Sequence, residues 1–130
     1  MAQTQRRQIL IIEDEPGVIE VLKKRLVLAG FDIRAETRGT AGVTAAMQQR
    51  PDLVILDLKL PDMSGYEVCR ELRKLYHRWE VPILMLTCMD RPADQLRGFA
   101  HGAEAYLTKP YDPVELLQTI QLLLGETVPT

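Results

Sequence analysis

The chain has little cysteine: Cys69 and Cys88 are its only two, and they form no CxxC pair and no Cys/His cluster. A disulfide framework and a structural zinc site are both excluded on that count, and two thiols in a chain with ample core suit a reducing cytoplasm. Long hydrophobic runs are missing too. No apolar stretch approaches the length of a bilayer span, and the opening MAQTQRRQIL lacks the apolar segment of a secretory signal. An excess of one charge is also absent, since 16 Lys and Arg against 18 Asp and Glu give a formal net charge of −2. The cations are scattered, whereas binding to phosphate backbones needs them clustered, so this segment is not expected to bind nucleic acid. The densest basic stretch, Arg70, Arg73, Lys74 and Arg78, reads as the solvated face of a helix.

What is present is alternation. The 130 residues suffice for one sizeable core. Residues 9–12 form a continuous apolar run that suits a strand buried on both faces. From 16 to 29, Val18, Ile19, Val21, Leu22, Leu26 and Leu28 recur at helical spacing before Gly30. A half-polar edge strand is predicted over 31–36, and a small-residue helix over 40–47. The second apolar strand, 53–56, runs into Asp57. Ser64 and Glu67 have capping-box spacing and open a helix that turns Val68, Leu72 and Leu75 inward, with Cys69 half-buried beside them. A third buried strand is predicted over 81–86, a helix over 95–100 and a short last strand over 105–108. Asp112, Pro113 and Glu115 then open a helix that runs to Leu124. Strict β–α alternation with apolar strands implies a parallel sheet covered on both faces. The domain is expected to span 1–125, with 126–130 as a tail or the start of a linker.

In such folds ligands bind at the carboxyl ends of the strands. Glu13, Asp14 and Glu15 follow the first strand, Asp57 and then Lys59 the third, Thr87 the fourth, and Lys109-Pro110 the fifth. Two carboxylates about 5 Å apart repel by roughly 3 kcal/mol at an effective dielectric near 20. Lys109 offsets one charge, and the surplus calls for a hard divalent cation. Oxygen ligands without His or Cys favour Mg²⁺. A carboxylate at such a site can act as a nucleophile toward phosphorus, with metal, lysine and hydroxyl steadying the transferred group. Taken singly, the acids also read as a first helical turn complementing the macrodipole, Asp57 as a cap and Lys109 as a surface cation. Their joint placement at strand ends favours the chemical reading. His77 and His101 lie near helix ends and look solvated, and Trp79 reads as a loop hydrophobe.

The segments ILIIEDEP, DLVILDLKLPDMSG, PILMLT and GAEAYLTKP, in that order and spacing, resemble the receiver domain of two-component response regulators over essentially the full chain. The resemblance implies a flavodoxin-like, doubly wound α/β fold with five parallel strands in the order 2-1-3-4-5 and five helices. It implies that Asp57 is phosphorylated from a phosphohistidine of a sensor histidine kinase or phosphotransfer protein. It gives Asp14 as a direct Mg²⁺ ligand alongside Asp57, Glu13 as a ligand through water, and the backbone carbonyl of Lys59 as the last protein ligand. Lys109 pairs with the phosphoryl group, and a cis Lys109–Pro110 bond aims it inward. Thr87 and Tyr106 are the implied switch pair. They alter the fourth helix, last strand and last helix, around residues 91–124, to control an output domain or partner. No enzyme activity is implied beyond the chain's own phosphotransfer and dephosphorylation.

Glu13 stands where aspartate is commoner in that family, and Cys88 where a smaller residue is usual. A larger group at Cys88 is expected to hinder attacking water. Ala105 and Thr119 occupy positions where an Asp and an Arg would support the dimer of winged-helix regulators, which weakens the case for that mode of phosphorylation-dependent homodimer. Two other functions fit less well. An aspartyl phosphatase needs a second acid where Lys59 stands. A flavin or dinucleotide binder needs a neutral loop where Glu13, Asp14 and Glu15 would repel phosphate. A phosphorylation-independent binding module is expected to have lost Asp57, Lys109 or an acid, and all are kept.

Overall fold

The apolar runs become the middle of a five-stranded sheet. In the structure, a computed structural model that describes residues 6–126, strands β1 (Gln8–Ile12), β2 (Asp32–Glu36), β3 (Leu53–Leu56), β4 (Ile83–Thr87) and β5 (Ala105–Thr108) alternate with helices α1 (Pro16–Leu28), α2 (Gly39–Gln48), α3 (Gly65–Leu75), α4 (Pro92–Ala100) and α5 (Pro113–Leu123). All pairings are parallel, in the order β2-β1-β3-β4-β5. The expected tail falls largely on residues 127–130, outside those described.

Successive side chains of a strand face opposite ways, so a sheet covered on both faces builds two cores. Leu10, Ile12, Val54, Leu56, Ile83 and Met85 face α2 and α3, and meet Ala45, Ala46, Val68, Cys69 and Leu72. Ile9, Ile11, Leu53, Ile55, Leu84 and Leu86 face α1 and α5, and meet Leu22, Leu26, Leu116 and Ile120. No helix among the described residues is long and apolar enough to cross a membrane.

Local chemistry sets the helix starts. Ser64 Oγ accepts the N–H of Tyr66 at 3.0 Å, while Glu67 supplies first-turn charge. Asp112 Oδ1 likewise accepts the N–H of Val114 at 2.8 Å ahead of Pro113. α4 begins at Pro92, earlier than the expected 95, because a proline is well suited to the first helical position. β4 begins two residues later than expected and runs through Thr87.

Three expectations on α3 are corrected. Leu75 is exposed, not inward: it shares the face of Val68 and Leu72 but is the last residue of α3. Cys69 is fully buried, and its Sγ donates to the carbonyl of His101 at 3.2 Å. Arg73 does not belong to a solvated face. It turns under α3, where it pairs with Glu104 and donates to the carbonyls of Gly102 (2.8 Å) and Val81 (2.8 Å). His101 is also only partly solvated, with its ring 5.2 Å from that of Tyr66. Trp79 is exposed on its loop as expected, stacked on His77 at 4.5 Å.

Candidate functional site

The strand order reverses between β1 and β3, and the crevice lies at their carboxyl ends. The ladders carry the site residues into place. The N–H of Asp57 donates to the carbonyl of Ile12 at 3.0 Å, which sets Asp57 beside Glu13. The N–H of Lys109 donates to the carbonyl of Thr87 at 2.8 Å, one step past the end of β5. The Lys109–Pro110 peptide bond is cis.

Lys109 bridges two acids. Its Nζ donates to Asp57 Oδ2 at 3.0 Å and also to Glu13 Oε1. Glu13 and Asp57 are almost fully buried, whereas Asp14 is exposed. Each of the three offers a carboxylate oxygen, and these oxygens lie within 4.8 Å of one another. The loop after β3 turns back through a bridge between Lys59 and Ser64, and the N–H of Lys59 donates to Asp57 Oδ1 at 3.3 Å. Gly65 lets that turn close. A Cβ there would strike the Asp57 carbonyl oxygen and lie 2.7 Å from the Leu58 Cα.

Burial and charge separate the two buried acids. Burial is the largest influence on Glu13; the Lys109 hydrogen bond opposes it, the Asp57 charge adds to it, and its carboxyl is pushed up to about 7. Burial acts upward on Asp57 as well, but the Lys109 hydrogen bond and charge, the Thr87 hydroxyl and the Lys59 N–H outweigh it. Asp57 therefore lies below the usual carboxylate range. Of the two, Asp57 is the more readily ionised.

Three carboxylates answered by one ammonium leave surplus negative charge, and every donor is a hard oxygen. That set fits a small divalent cation. Thr87 is fully buried next to this cluster. It is joined to Tyr106 through Met89, a residue that no motif marks. The N–H of Met89 donates to Thr87 Oγ1 at 3.4 Å, and the Tyr106 hydroxyl donates to the carbonyl of Met89 at 2.6 Å. Cys88 is exposed. Asp62 was also unmarked in the sequence. Its carboxylate accepts the N–H groups of Gly39 (2.8 Å) and Thr40 (3.0 Å) and so caps α2 from across the crevice.

Residues 9–121 match the family model described as the response regulator receiver domain. The chain is similar to the DNA-binding dual master transcriptional regulator RpaA of Synechocystis sp., at 40% identity over 120 residues, which make up 92% of this chain and 50% of that protein. It thus spans about half the length of the curated relatives it matches. Among solved structures it resembles the BeF₃-activated N-terminal receiver domain of Klebsiella pneumoniae RstA (TM-score 0.87, 31% identity, 92% of this chain and 100% of that one). It also resembles the receiver domain of sensor histidine kinase PA1611 from Pseudomonas aeruginosa, described with a magnesium ion coordinated in its active site cleft (TM-score 0.85, 30% identity, 94% and 100%). Family match, strand order and crevice agree, and the chain belongs to the response regulator family as a receiver domain of two-component signalling.

Proposed function

We propose that this receiver is switched by phosphorylation of Asp57. The observation that carries the reading is a buried carboxylate held ionised between a lysine ammonium and a backbone N–H, at the carboxyl end of β3. One Asp57 oxygen attacks phosphorus, the bond from phosphorus to the donor's histidine nitrogen breaks, and its electron pair stays on the imidazole. Lys109 turns from the carboxylate toward an incoming phosphoryl oxygen, and the Thr87 hydroxyl and Lys59 N–H donate to the same group. Glu13, Asp14, Asp57 and the Lys59 carbonyl would hold Mg²⁺, which when bound neutralises charge on the phosphoryl oxygens.

The histidine donor belongs to a sensor kinase or phosphotransfer protein, and the switched surface is that of α4, β5 and α5. Thr87, Met89 and Tyr106 link the crevice to that surface. A downstream output domain or protein reads it, and the place of action is the cytoplasm. The chain catalyses nothing beyond its own phosphotransfer and dephosphorylation.

Intact mass after incubation with a small phosphodonor tests the proposal. One phosphoryl adduct is expected on the wild type with Mg²⁺, and none on Asp57→Asn or after chelation. A folded wild type that takes no adduct with Mg²⁺ present would overturn it in favour of a phosphorylation-independent binding module.

A further inference from the structure

α4 is attached unlike the other helices. α1, α2, α3 and α5 each insert side chains into one of the two cores, and α4 inserts none. Its apolar side chains Leu96 and Phe99 are exposed, and its only buried residues are Asp94 and Gly98. Burial of apolar area, the usual force that docks a helix, is therefore nearly absent here.

The sheet side of α4 rests closely on Met85 and Tyr106 through Gly98, where a Cβ would lie 2.9 Å from Met85 Sδ, while its contacts with α3 are polar, and Tyr66 is their centre. Its hydroxyl, inside the protein, donates to the carbonyl of Asp94 at 3.1 Å. The Arg97 guanidinium covers its ring at 4.3 Å, and the His101 ring lies 5.2 Å away. Asp94, Arg97 and the C-cap His101 lie on one side of α4, so a single side chain touches successive turns and the helix end. Cys69 and Arg73, one and two turns further along α3, bond the carbonyls of His101 and Gly102. At its other end, Tyr66 follows Gly65, whose N–H donates to the carbonyl of Leu58 at 2.9 Å and whose Cα packs on the Asp57 backbone.

We propose that Tyr66 is a positioning residue that sets the register of α4 on α3 and carries movement of the Asp57–Gly65 loop to the α4 surface. It supplies a second connection from the crevice, separate from Thr87, Met89 and Tyr106. The transmission rests on the proposed phosphorylation of Asp57, while the clasp itself does not.

Amide hydrogen exchange tests both parts in the full chain, with and without beryllofluoride and Mg²⁺. In unloaded protein, Tyr66→Phe is expected to speed exchange of the α4 amides on the order of fivefold, the equivalent of one lost hydrogen bond, with β1 and β3 amides unchanged. Arg97→Ala alters only an exposed side chain of α4 and is expected to act in the same direction, more weakly. In the loaded wild type α4 exchange changes, and in Tyr66→Phe that change falls by more than half. Unaltered α4 exchange in both unloaded variants overturns the clasp, and a full loading response in Tyr66→Phe overturns the transmission through Tyr66; neither result touches the phosphorylation reading. A wild type that ignores beryllofluoride overturns the transmission together with the phosphorylation reading.

Discussion

The Lys109 ammonium lies 3.0 Å from Asp57 Oδ2 although 52 residues separate the two in sequence, and it also holds Glu13. Lys109→Met keeps the stem and removes the charge. Two buried acids then face each other unanswered, and the variant is expected to lose about 3 kcal/mol of stability near pH 8. Burial lowers the Lys109 pKa, but its bonds to Glu13 and Asp57 outweigh that and hold it at about 12. In the wild type its stabilisation is thus complete below the unfolded value near 10.5 and fades only as pH climbs through about 12. Urea denaturation with and without Mg²⁺ checks this. The deficit should shrink when Mg²⁺ replaces the missing cation, and a deficit indifferent to Mg²⁺ would refute it.

Gly65→Ala places a Cβ against the Asp57 carbonyl and 2.7 Å from the Leu58 Cα, both of them backbone that cannot turn aside. The expected cost is about 2 kcal/mol, read as a lower urea midpoint at unchanged slope. A midpoint equal to that of the wild type would mean that the loop has room to move.

Asp62 caps α2 through the N–H and hydroxyl of Thr40 and the N–H of Gly39, and these bonds lower its carboxyl to about 2. A depressed folded pKa stabilises above the unfolded value and is lost as pH falls through the folded one. The gap in stability between wild type and Asp62→Asn is therefore expected to be full at pH 6, to narrow below about pH 4 and to close near pH 2. Denaturation across that range checks the sign; a gap that widens on acidification would contradict the cap.

Arg73 and Glu104 form a largely buried pair, in which Glu104 also accepts the N–H of Ile83 at 2.9 Å. Arg73→Met strands the carboxylate and is expected to cost about 3 kcal/mol. Arg73→Met with Glu104→Gln is expected to recover more than half of that, since the charge goes with its partner. A double variant no better than the single would assign the loss to the carbonyls that Arg73 serves instead.

The strands and the crevice were legible because their signals are local and coarse. Continuous apolar runs mark strands buried on both faces, and the residue after each run lands at one edge by topology alone. Glu13, Asp57, Thr87 and Lys109 fall at one edge by that rule alone. Arg73 was misjudged because four cations in a row look alike until the fold supplies Glu104 and the carbonyls of Gly102 and Val81. Leu75 was misjudged because helical spacing gives the face of a residue but not where along the helix the core stops, and Leu75 is the last residue of α3. Asp62, Met89 and Tyr66 act through backbone groups far along the chain, which residue identity does not reveal.

The sheet order has a consequence for synthesis on the ribosome. Glu13 and Asp14 emerge first, Asp57 next and Thr87 later, while β5 and Lys109 come last. Chains fold from the N-terminal side as they emerge. Any nascent form that has paired β1 with β3 therefore gathers the acids before their lysine exists, and carries that repulsion until the fifth strand is made. Protonation of Glu13, whose carboxyl is pushed up to about 7, or a free cation relieves that repulsion until then, so early pairing of β1 with β3 is eased by whatever neutralises the crevice.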